Sequence, residues 1–212
     1  MVSYQRLEYT KRTLQSILDT TPDVPQCEVV IVDNHSTEEG VVEYLSKMFA
    51  NNKKLTVVFN PENNGWGSAI NLVFRTLDWK SFDYILFSNN DVIYKPNWFE
   101  EAEKLMTKYP QIGILGLWKH PYHGIKQFLE DLVIKDDMPA VSWLIPRMVV
   151  EAAGNFPEHG ACKTRGGNGE DSAYAHRVQN LGLWVCGPKE DLSEHIDGYD
   201  IPNLGKENEA YK

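Results

Sequence analysis

Asp91 is the residue whose chemical setting is clearest from the sequence. It ends the segment Phe87-Ser88-Asn89-Asn90-Asp91, which follows an apolar strand predicted over residues 83–87 and leads into a helix expected to begin at Pro96. A carboxylate at the carboxyl end of a central strand lies where open α/β sheets bind ligands. Carboxylate oxygen suits Mg²⁺ or Mn²⁺, which commonly bridges to substrate phosphates. The alternative is a simple strand-to-helix turn, since Asn and Asp cap helices and tolerate turn geometry.

A second pair of acids, Glu170 and Asp171, begins a helix predicted over residues 170–181. Asp171 shares helical spacing with Tyr174, Val178 and Leu181, so these four are expected on the inward face. The helix dipole and the first-turn N–H groups keep such a carboxylate ionised, as a general base requires. The Gly-rich segment 159–169 before it is expected to be a mobile loop that closes over a substrate. Ordinary first-turn stabilisation of the helix is the competing interpretation.

Polar residues follow three predicted parallel strands: Ser3-Tyr4, Asp33-Asn34 and Asn90-Asp91. The carboxyl ends of parallel strands share one edge of a sheet, where a nucleotide could span them. There Asp33 could accept from a pyrimidine imide or a ribose hydroxyl, and Tyr4 could stack on the base. Each of these residues alone is weak evidence, because Asp and Asn are common turn formers.

Two further features could contact a donor. The turn at Asn64 and Gly65 begins a helix whose first N–H groups could meet a phosphate or a ribose, although its glycines could serve only turn geometry and packing. His195, beyond the last predicted strand, could complete a metal site with Asp91 or contact phosphate. A lone histidine is more often neither.

The elements alternate between strand and helix, which is typical of parallel βαβ units and predicts an α/β fold. A helix follows Arg6, and a strand over residues 27–32 precedes a helix that Ser36 or Thr37 would cap, with Glu38 in its first turn. Further strands are predicted over 55–59, 112–118, 140–145 and 183–186, with a short helix over 147–153. One domain over 1–212 is expected, with no internal cut: a nucleotide-binding half (1–118), an acceptor and catalytic half (119–198) and a polar tail (199–212).

Composition excludes several classes of protein. A net charge of −9 across 212 residues argues against a nucleic-acid backbone binder. No apolar run approaches the roughly 20 residues of a transmembrane helix, and no signal-peptide pattern is visible at the amino terminus. Cys27, Cys162 and Cys186 are far apart and odd in number, which favours a reduced cytoplasmic protein without a disulfide framework.

Taken together, these segments resemble glycosyltransferase family 2, the inverting enzymes of GT-A fold. The segments, in order, are VSYQRLEY at 2–9, VDNHST at 32–37, NGWGSAIN at 64–71, SNNDV at 88–92, GNFPE at 154–158 and GED at 169–171. They are similar to the family's opening segment, its VDN(G/D)ST segment, its glycine-containing helix start, its acidic metal motif, its acceptor region and its catalytic helix. The resemblance covers about residues 2–198 and implies a Rossmann-like sandwich with a mostly parallel central sheet.

The resemblance also implies roles for individual residues. Tyr4 and Asp33 would hold the nucleotide base, Asp91 would hold Mg²⁺ or Mn²⁺ on the diphosphate, and Asp171 would be the catalytic base. Beside these roles, the residues themselves make Arg6, Asn64, Gly65 and Asn90 candidates for donor binding, His195 a candidate metal ligand and Glu170 a candidate catalytic residue. One departure is that Asn89 and Asn90 stand where the family usually has an acid, so weak metal binding is expected.

The sequence therefore predicts a cytoplasmic, metal-assisted inverting hexosyltransferase with a UDP-, GDP- or dTDP-sugar donor and a carbohydrate or glycolipid acceptor. Contact with a membrane would come only through such an acceptor. Two alternatives stay open: a non-catalytic nucleotide-sugar or glycan-binding protein of the same fold, and a sugar-nucleotide nucleotidyltransferase. The second would be expected to carry a Gly- and basic-rich loop after the first strand, and residues 5–11 contain no glycine.

Overall fold

The computed structural model describes residues 1–22, 27–119, 124–158 and 169–196. The Gly-rich segment predicted as a mobile loop therefore lies outside the described residues, apart from Gly169. Cys162 and the predicted polar tail also lie outside them.

Eleven strands and six α-helices alternate along the described parts of the chain. The strands are β1 (Val2–Ser3), β2 (Val29–Asp33), β3 (Leu55–Phe59), β4 (Tyr84–Ser88), β5 (Val92–Tyr94), β6 (Ile112–Gly116), β7 (Ile125–Phe128), β8 (Leu132–Lys135), β9 (Ser142–Pro146), β10 (Trp184–Pro188) and β11 (Ser193–His195). The helices are α1 (Leu7–Thr20), α2 (Val41–Asn51), α3 (Trp66–Thr76), α4 (Trp98–Lys108), α5 (Arg147–Ala153) and α6 (Glu170–Asn180), with a 3₁₀ turn at Trp79–Ser81.

The strands form three hydrogen-bonded sheets in the described residues. β1, β2 and β3 are parallel neighbours, and their register sets Ser3 beside Asp33 and Asp33 beside Phe59. A six-stranded sheet has the order β4-β9-β6-β10-β8-β7. β9 is antiparallel to both β4 and β6, while β6 and β10 are parallel. Within this sheet β4, β6, β7 and β10 thus run in one direction, and only β8 and β9 run in the other. The third sheet is the antiparallel pair of β5 and β11.

Amphipathic helices cover these sheets and bury an apolar face of each. Leu14 of α1, Val41 and Leu45 of α2, and strand residues Ile31 and Leu55 form one buried cluster. A second cluster lies among α4, β6, β8 and β10, and a third surrounds Trp143 of β9, with α5 and α6 packed on it. None of the helices in the described residues combines the length and the apolar character needed to cross a bilayer.

Two predictions about local structure were wrong. Asp91 leads into the short strand β5, and the next helix begins only at Trp98. The helix expected to be capped by Ser36 or Thr37 begins at Val41, after Gly40 in a left-handed conformation (φ 85°). Ser36 lies five residues before this start, and its hydroxyl instead accepts a hydrogen bond from the Gln5 N–H at 2.8 Å.

Two of the three cysteines lie within the described residues. Cys27 and Cys186 are free thiols, the first half-buried and the second buried in β10. Burial raises the pKa of the Cys186 thiol, so it behaves as a small apolar side chain rather than as a nucleophile.

Candidate active site

Asp91 lies in the connection between β4 and β5, with its side chain only 12% exposed. Its Oδ2 atom is 2.9 Å from Arg6 Nη1 and 3.4 Å from His195 Nε2. The β5–β11 pairing causes this meeting, because it sets His195 opposite Val92, the residue after Asp91. The structure therefore brings together two residues that are more than a hundred positions apart and that the sequence analysis had paired.

The Asp91 carboxylate also offers an unused oxygen. Its Oδ1 atom is buried and has no hydrogen-bond partner among the described residues. A buried carboxylate oxygen without a partner normally requires an explanation, such as an ion or a water. Asp91 supplies the carboxylate oxygen that Mn²⁺ and Mg²⁺ prefer, whereas the His195 imidazole supplies a nitrogen that suits a transition metal better than Mg²⁺. The described residues contain no group of three or more such side chains, so a cation held here would need further ligands from phosphate and water.

Asn90 connects the end of β4 to the turn that precedes α1. Its Nδ2 donates to Thr10 Oγ1 at 2.9 Å and to the Gln5 carbonyl at 3.2 Å. The Thr10 hydroxyl in turn lies 3.0 Å from that of Ser3 in β1. The amide of Asn90 thus fixes Asp91 relative to the carboxyl end of β1.

The turn after β1 has an unusual backbone. Gln5 and Arg6 are consecutive non-glycine residues with left-handed φ values of 52° and 56°. Such positions cost free energy and persist only when the surroundings hold them. Here a set of hydrogen bonds to Ser36, Thr37 and Glu38, which we name the Gln5–Glu38 clasp, supplies that support.

Glu38 is the residue of this clasp whose role the sequence analysis assigned wrongly. It precedes α2, and its carboxylate accepts hydrogen bonds from the N–H groups of Arg6 and Leu7 at the start of α1. The carboxylate therefore caps a helix on the neighbouring segment rather than its own. Sequence spacing could not reveal this, since the two helix starts meet only in the folded sheet.

Asp33 ends β2 and is buried. Its Oδ2 atom accepts from the Ser36 N–H at 3.2 Å, while Oδ1 is buried without a hydrogen-bond partner among the described residues. Tyr4, the residue after β1, is half-buried. The β1–β2 pairing places the two polar strand ends side by side, as predicted.

The neighbouring Asn34 joins the turns after β2 and β3. Its Nδ2 donates to Asn63 Oδ1 at 2.8 Å and to the Gly65 carbonyl at 3.3 Å, and its Oδ1 accepts from Asn60. Gly65 has φ 92°, a value that favours glycine, and Asn64 beside it is exposed. The predicted donor-binding turn is thus anchored to the strand end that carries Asp33.

Glu170 reaches the start of α3 from the start of α6. Its carboxylate is buried, and Oε2 accepts a hydrogen bond from the Gly67 N–H at 2.8 Å. The sequence predicted that the first N–H groups of α3 could bind a phosphate. In the structure the Gly67 N–H is already hydrogen-bonded to a carboxylate. A side chain at Gly67 is excluded, because a Cβ atom there would lie 2.2 Å from the Pro157 carbonyl oxygen.

Asn71, one turn further along α3, fixes the segment after α5. Its Nδ2 donates to the Phe156 carbonyl and its Oδ1 accepts from the Phe156 N–H, both at 2.9 Å. The residue is buried, and the Phe156 ring stacks on Tyr174 of α6 at 3.8 Å. No role was predicted for Asn71 from the sequence. A polar residue on the otherwise apolar face of α3 was the available signal.

Asp171, the predicted base, is half-buried at the start of α6. Its Oδ2 atom accepts a long hydrogen bond of 3.4 Å from the Ala140 N–H. The next residue, Val141, accepts from the Asn89 N–H at 3.0 Å, and Asn89 lies two residues before Asp91. The end of α6 differs from prediction, because the helix stops at Asn180 and Leu181 is 46% exposed rather than inward.

Comparisons with known proteins agree with this geometry. Residues 1–180 match the family model described as glycosyl transferase family 2. No curated protein sequence matches the chain. Three similar solved structures are those of GalNAc-T7 with UDP, GalNAc and Mn²⁺ (14% identity, TM-score 0.72), the mannosyltransferase PcManGT from Pyrobaculum calidifontis with GDP-Man and Mn²⁺ (19%, 0.63), and S. aureus TarS residues 1–349 with UDP-GlcNAc (16%, 0.66).

These alignments cover 92%, 90% and 92% of this chain, but only 42%, 57% and 57% of the three larger chains. The chain therefore spans about half the length of the solved proteins that it resembles. The shared architecture defines the GT-A fold, as the sequence predicted. The family match is extensive, and the chain belongs to glycosyl transferase family 2.

Proposed function

We propose that this chain transfers a sugar from a nucleotide-diphosphate sugar to an acceptor hydroxyl, with inversion at the anomeric carbon. The observation that carries the proposal is the pair of strand-end acids, Asp33 and Asp91. Each has one buried carboxylate oxygen without a hydrogen-bond partner among the described residues. The segment from Ser3 to Gln5 joins them, since Ser3 pairs with Asp33 and the Gln5 carbonyl accepts from Asn90.

In this proposal the donor lies along the ends of β1 and β2, which are neighbours in one sheet, and along the end of β4 in the six-stranded sheet, where Asn90 donates to the Gln5 carbonyl. Asp33 Oδ1 accepts from the base or the ribose, and the Tyr4 ring lies against the base. Asn64 and Gly65 border the same region, and Arg6 faces the diphosphate. Asp91 and His195 would hold Mg²⁺ or Mn²⁺, which neutralises negative charge on a diphosphate leaving group. GalNAc-T7 with UDP and PcManGT with GDP-Man support a UDP- or GDP-sugar as donor, while a dTDP-sugar stays a prediction from the sequence.

Asp171 is the proposed general base. Its carboxylate takes the proton of the acceptor hydroxyl as that oxygen forms its bond to the anomeric carbon. The bond from the same carbon to the diphosphate oxygen breaks on the opposite face, and the nucleoside diphosphate leaves. Two hydrogen bonds to adjacent residues support this role: the Ala140 N–H donates to Asp171, and the Val141 carbonyl accepts from Asn89, so the segment 140–141 lies between the base and the Asp91 segment.

We assign Glu170 to catalysis as a positioning residue. Its buried carboxylate connects the first residue of α6 to the second residue of α3. The helix that presents Asp171 is thereby tied to the turn that borders the donor. The acceptor is proposed to be a carbohydrate or glycolipid, and a cytoplasmic location stays a prediction from the sequence.

The test begins with the donor. Thermal-shift measurements with UDP, GDP and dTDP, each with and without Mn²⁺, should identify the base, and the matching nucleotide-sugars are then assayed for transfer and hydrolysis. Asp171→Asn should keep nucleotide binding and lose roughly 10²- to 10⁴-fold in turnover. Asp83→Asn is the control, because Asp83 is an exposed acid at the opposite end of the β4 segment from Asp91.

Three results would contradict parts of the proposal. Full turnover in Asp171→Asn would remove Asp171 as the base. Nucleotide binding without transfer or hydrolysis in any of the assays would favour a non-catalytic binding protein. Formation of a nucleotide-sugar from a nucleoside triphosphate and a sugar phosphate would favour a nucleotidyltransferase.

A further inference from the structure

The Asp91 carboxylate already has a cationic partner in the protein itself. Arg6 Nη1 lies 2.9 Å from Asp91 Oδ2, the same oxygen that faces His195. We propose that Arg6 competes with the divalent cation for Asp91, so that the cation binds tightly only when a nucleotide diphosphate draws the guanidinium away. This inference rests on the proposed function, because it concerns the same donor site.

The contact between Arg6 and Asp91 is strong enough to compete with a divalent cation for the carboxylate. The Asp91 side chain is 12% exposed and that of Arg6 is 35% exposed, so the pair is partly shielded from water and salt. A charge-assisted hydrogen bond between a guanidinium and a carboxylate is stronger than a neutral one. A cation that binds both Asp91 oxygens has two alternatives. It must either displace the Arg6 guanidinium or share the carboxylate with it, which places two positive charges close together. Both alternatives weaken its binding.

The Arg6 side chain can leave Asp91 for another anion without a change in its backbone. Its backbone is held by Glu38 through the N–H group, but the side chain crosses the face of the Tyr9 ring at 5.1 Å and its end remains partly exposed. A long side chain on a fixed backbone can exchange one anion for another without moving the turn. Guanidinium binds phosphate oxygens as readily as carboxylate oxygens.

The helix starts near the site do not offer the diphosphate an obvious substitute for Arg6. The N–H groups of Arg6 and Leu7 at the start of α1 donate to the Glu38 carboxylate. The Gly67 N–H at the start of α3 donates to the Glu170 carboxylate. Both helix starts, which otherwise attract phosphate, thus already bind a carboxylate of the protein. In this proposal Arg6 and the cation are therefore the positive groups that meet the diphosphate.

Thermodynamic linkage makes the proposal measurable. If the diphosphate frees Asp91 for the cation, then each ligand must raise the affinity of the other by the same factor. Couplings of this kind correspond to roughly 5- to 150-fold in affinity. Loss of the guanidinium should raise the affinity for the cation alone and reduce this factor.

The experiment measures free Mn²⁺ by electron paramagnetic resonance, with the metal alone and with UDP or GDP, whichever the chain binds. The variants are Arg6→Gln, Asp91→Asn and Lys11→Gln. Glutamine is already accepted at the left-handed position 5, so Arg6→Gln should keep the turn, and circular dichroism checks this. Lys11→Gln removes one positive charge from the same helix at an exposed ion pair with Glu8 and controls for net charge.

The proposal expects wild-type protein to bind Mn²⁺ at least about 5-fold more tightly with the nucleotide diphosphate than without it. Arg6→Gln should bind Mn²⁺ alone at least about 5-fold more tightly than wild type, with a smaller effect of nucleotide, while Lys11→Gln matches wild type. Equal Mn²⁺ affinity of wild type and Arg6→Gln, with Asp91→Asn weakened, would overturn the competition but leave the metal site in place. If Asp91→Asn binds Mn²⁺ and nucleotide as wild type does, the assignment of the metal to Asp91 fails, and the competition fails with it.

Discussion

Replacing Glu170 with alanine should cost far more stability than replacing its neighbour Asp171 with asparagine. The Glu170 carboxylate is 5% exposed and accepts the Gly67 N–H at 2.8 Å. A hydrogen bond to a charged group contributes about 1.5–3 kcal/mol, and a buried N–H left without an acceptor costs about 1–3 kcal/mol. The lost packing of the side-chain stem adds to this, so a decrease of about 3–5 kcal/mol in the free energy of unfolding is expected.

The two neighbouring acids should therefore separate stability from turnover. Glu170→Gln keeps an acceptor oxygen for Gly67 and should lose only about 1–2 kcal/mol, with kcat recovering towards wild type relative to Glu170→Ala. Asp171→Asn alters a half-buried side chain with a long hydrogen bond. It should change stability by less than about 1 kcal/mol, but it should lower kcat by roughly 10²- to 10⁴-fold.

Equilibrium urea denaturation followed by tryptophan fluorescence measures the first quantity, and steady-state transfer assays measure the second. The denaturant slope must be the same in all variants for the comparison to hold. A Glu170→Ala protein within 1 kcal/mol of wild type would refute the argument from burial. An Asp171→Asn protein destabilised as much as Glu170→Ala would show that both acids are structural.

Three further outcomes are expected. Burial raises the pKa of Tyr94 to about 12, so the folded state holds this proton more tightly than the unfolded state does. The free energy of unfolding should therefore fall by up to about 3 kcal/mol as the pH rises from about 10 to 12. In urea denaturation at each pH, Tyr94→Phe should remove this part of the alkaline loss. Gly67→Ala should destabilise by at least about 1–3 kcal/mol although alanine favours helices, because the new Cβ overlaps the Pro157 carbonyl; a rise in the melting temperature would contradict this. Asn71→Ala leaves the N–H and C=O of Phe156 without their partner. The free energy of unfolding, measured by urea denaturation, should fall by about 2–5 kcal/mol. A decrease below about 1 kcal/mol would mean that water replaces the amide.

Much of the fold was predictable from local patterns in the sequence. The strand over 55–59 and the helix over 147–153 were placed correctly, because an apolar run bounded by turn residues and a helix stopped by Gly154 are local signals. Strands β5, β7, β8 and β11 were missed. Residues 193–195 contain no apolar side chain, and the strand exists only because it pairs with β5, about a hundred residues earlier.

In the candidate site, too, some contacts could be predicted from the sequence and others depend on the folded sheets. The sequence paired Asp91 with His195 and set the ends of β1 and β2 side by side, and both expectations are met. The expectation that Asn90 and Asp91 share that same sheet edge was wrong, because β4 belongs to the six-stranded sheet. It could not show that Glu38 caps α1 or that Glu170 reaches Gly67, because both contacts join helix starts that meet only after the sheet is formed. Whether Asp171 and Glu170 serve catalysis as proposed stays a prediction.

The Gln5–Glu38 clasp has a consequence for any attempt to change donor choice by exchanging loops with a related enzyme. Glu38 caps α1 from another segment, and Gln5 binds the backbone of Thr37 and Glu38 in return. A graft of residues 34–38 that lacks a carboxylate at position 38 would leave the start of α1 uncapped, and one that changes the backbone at 36–38 would remove the support of the two left-handed residues. The two segments form a single module, and a chimera that folds must inherit both from the same parent.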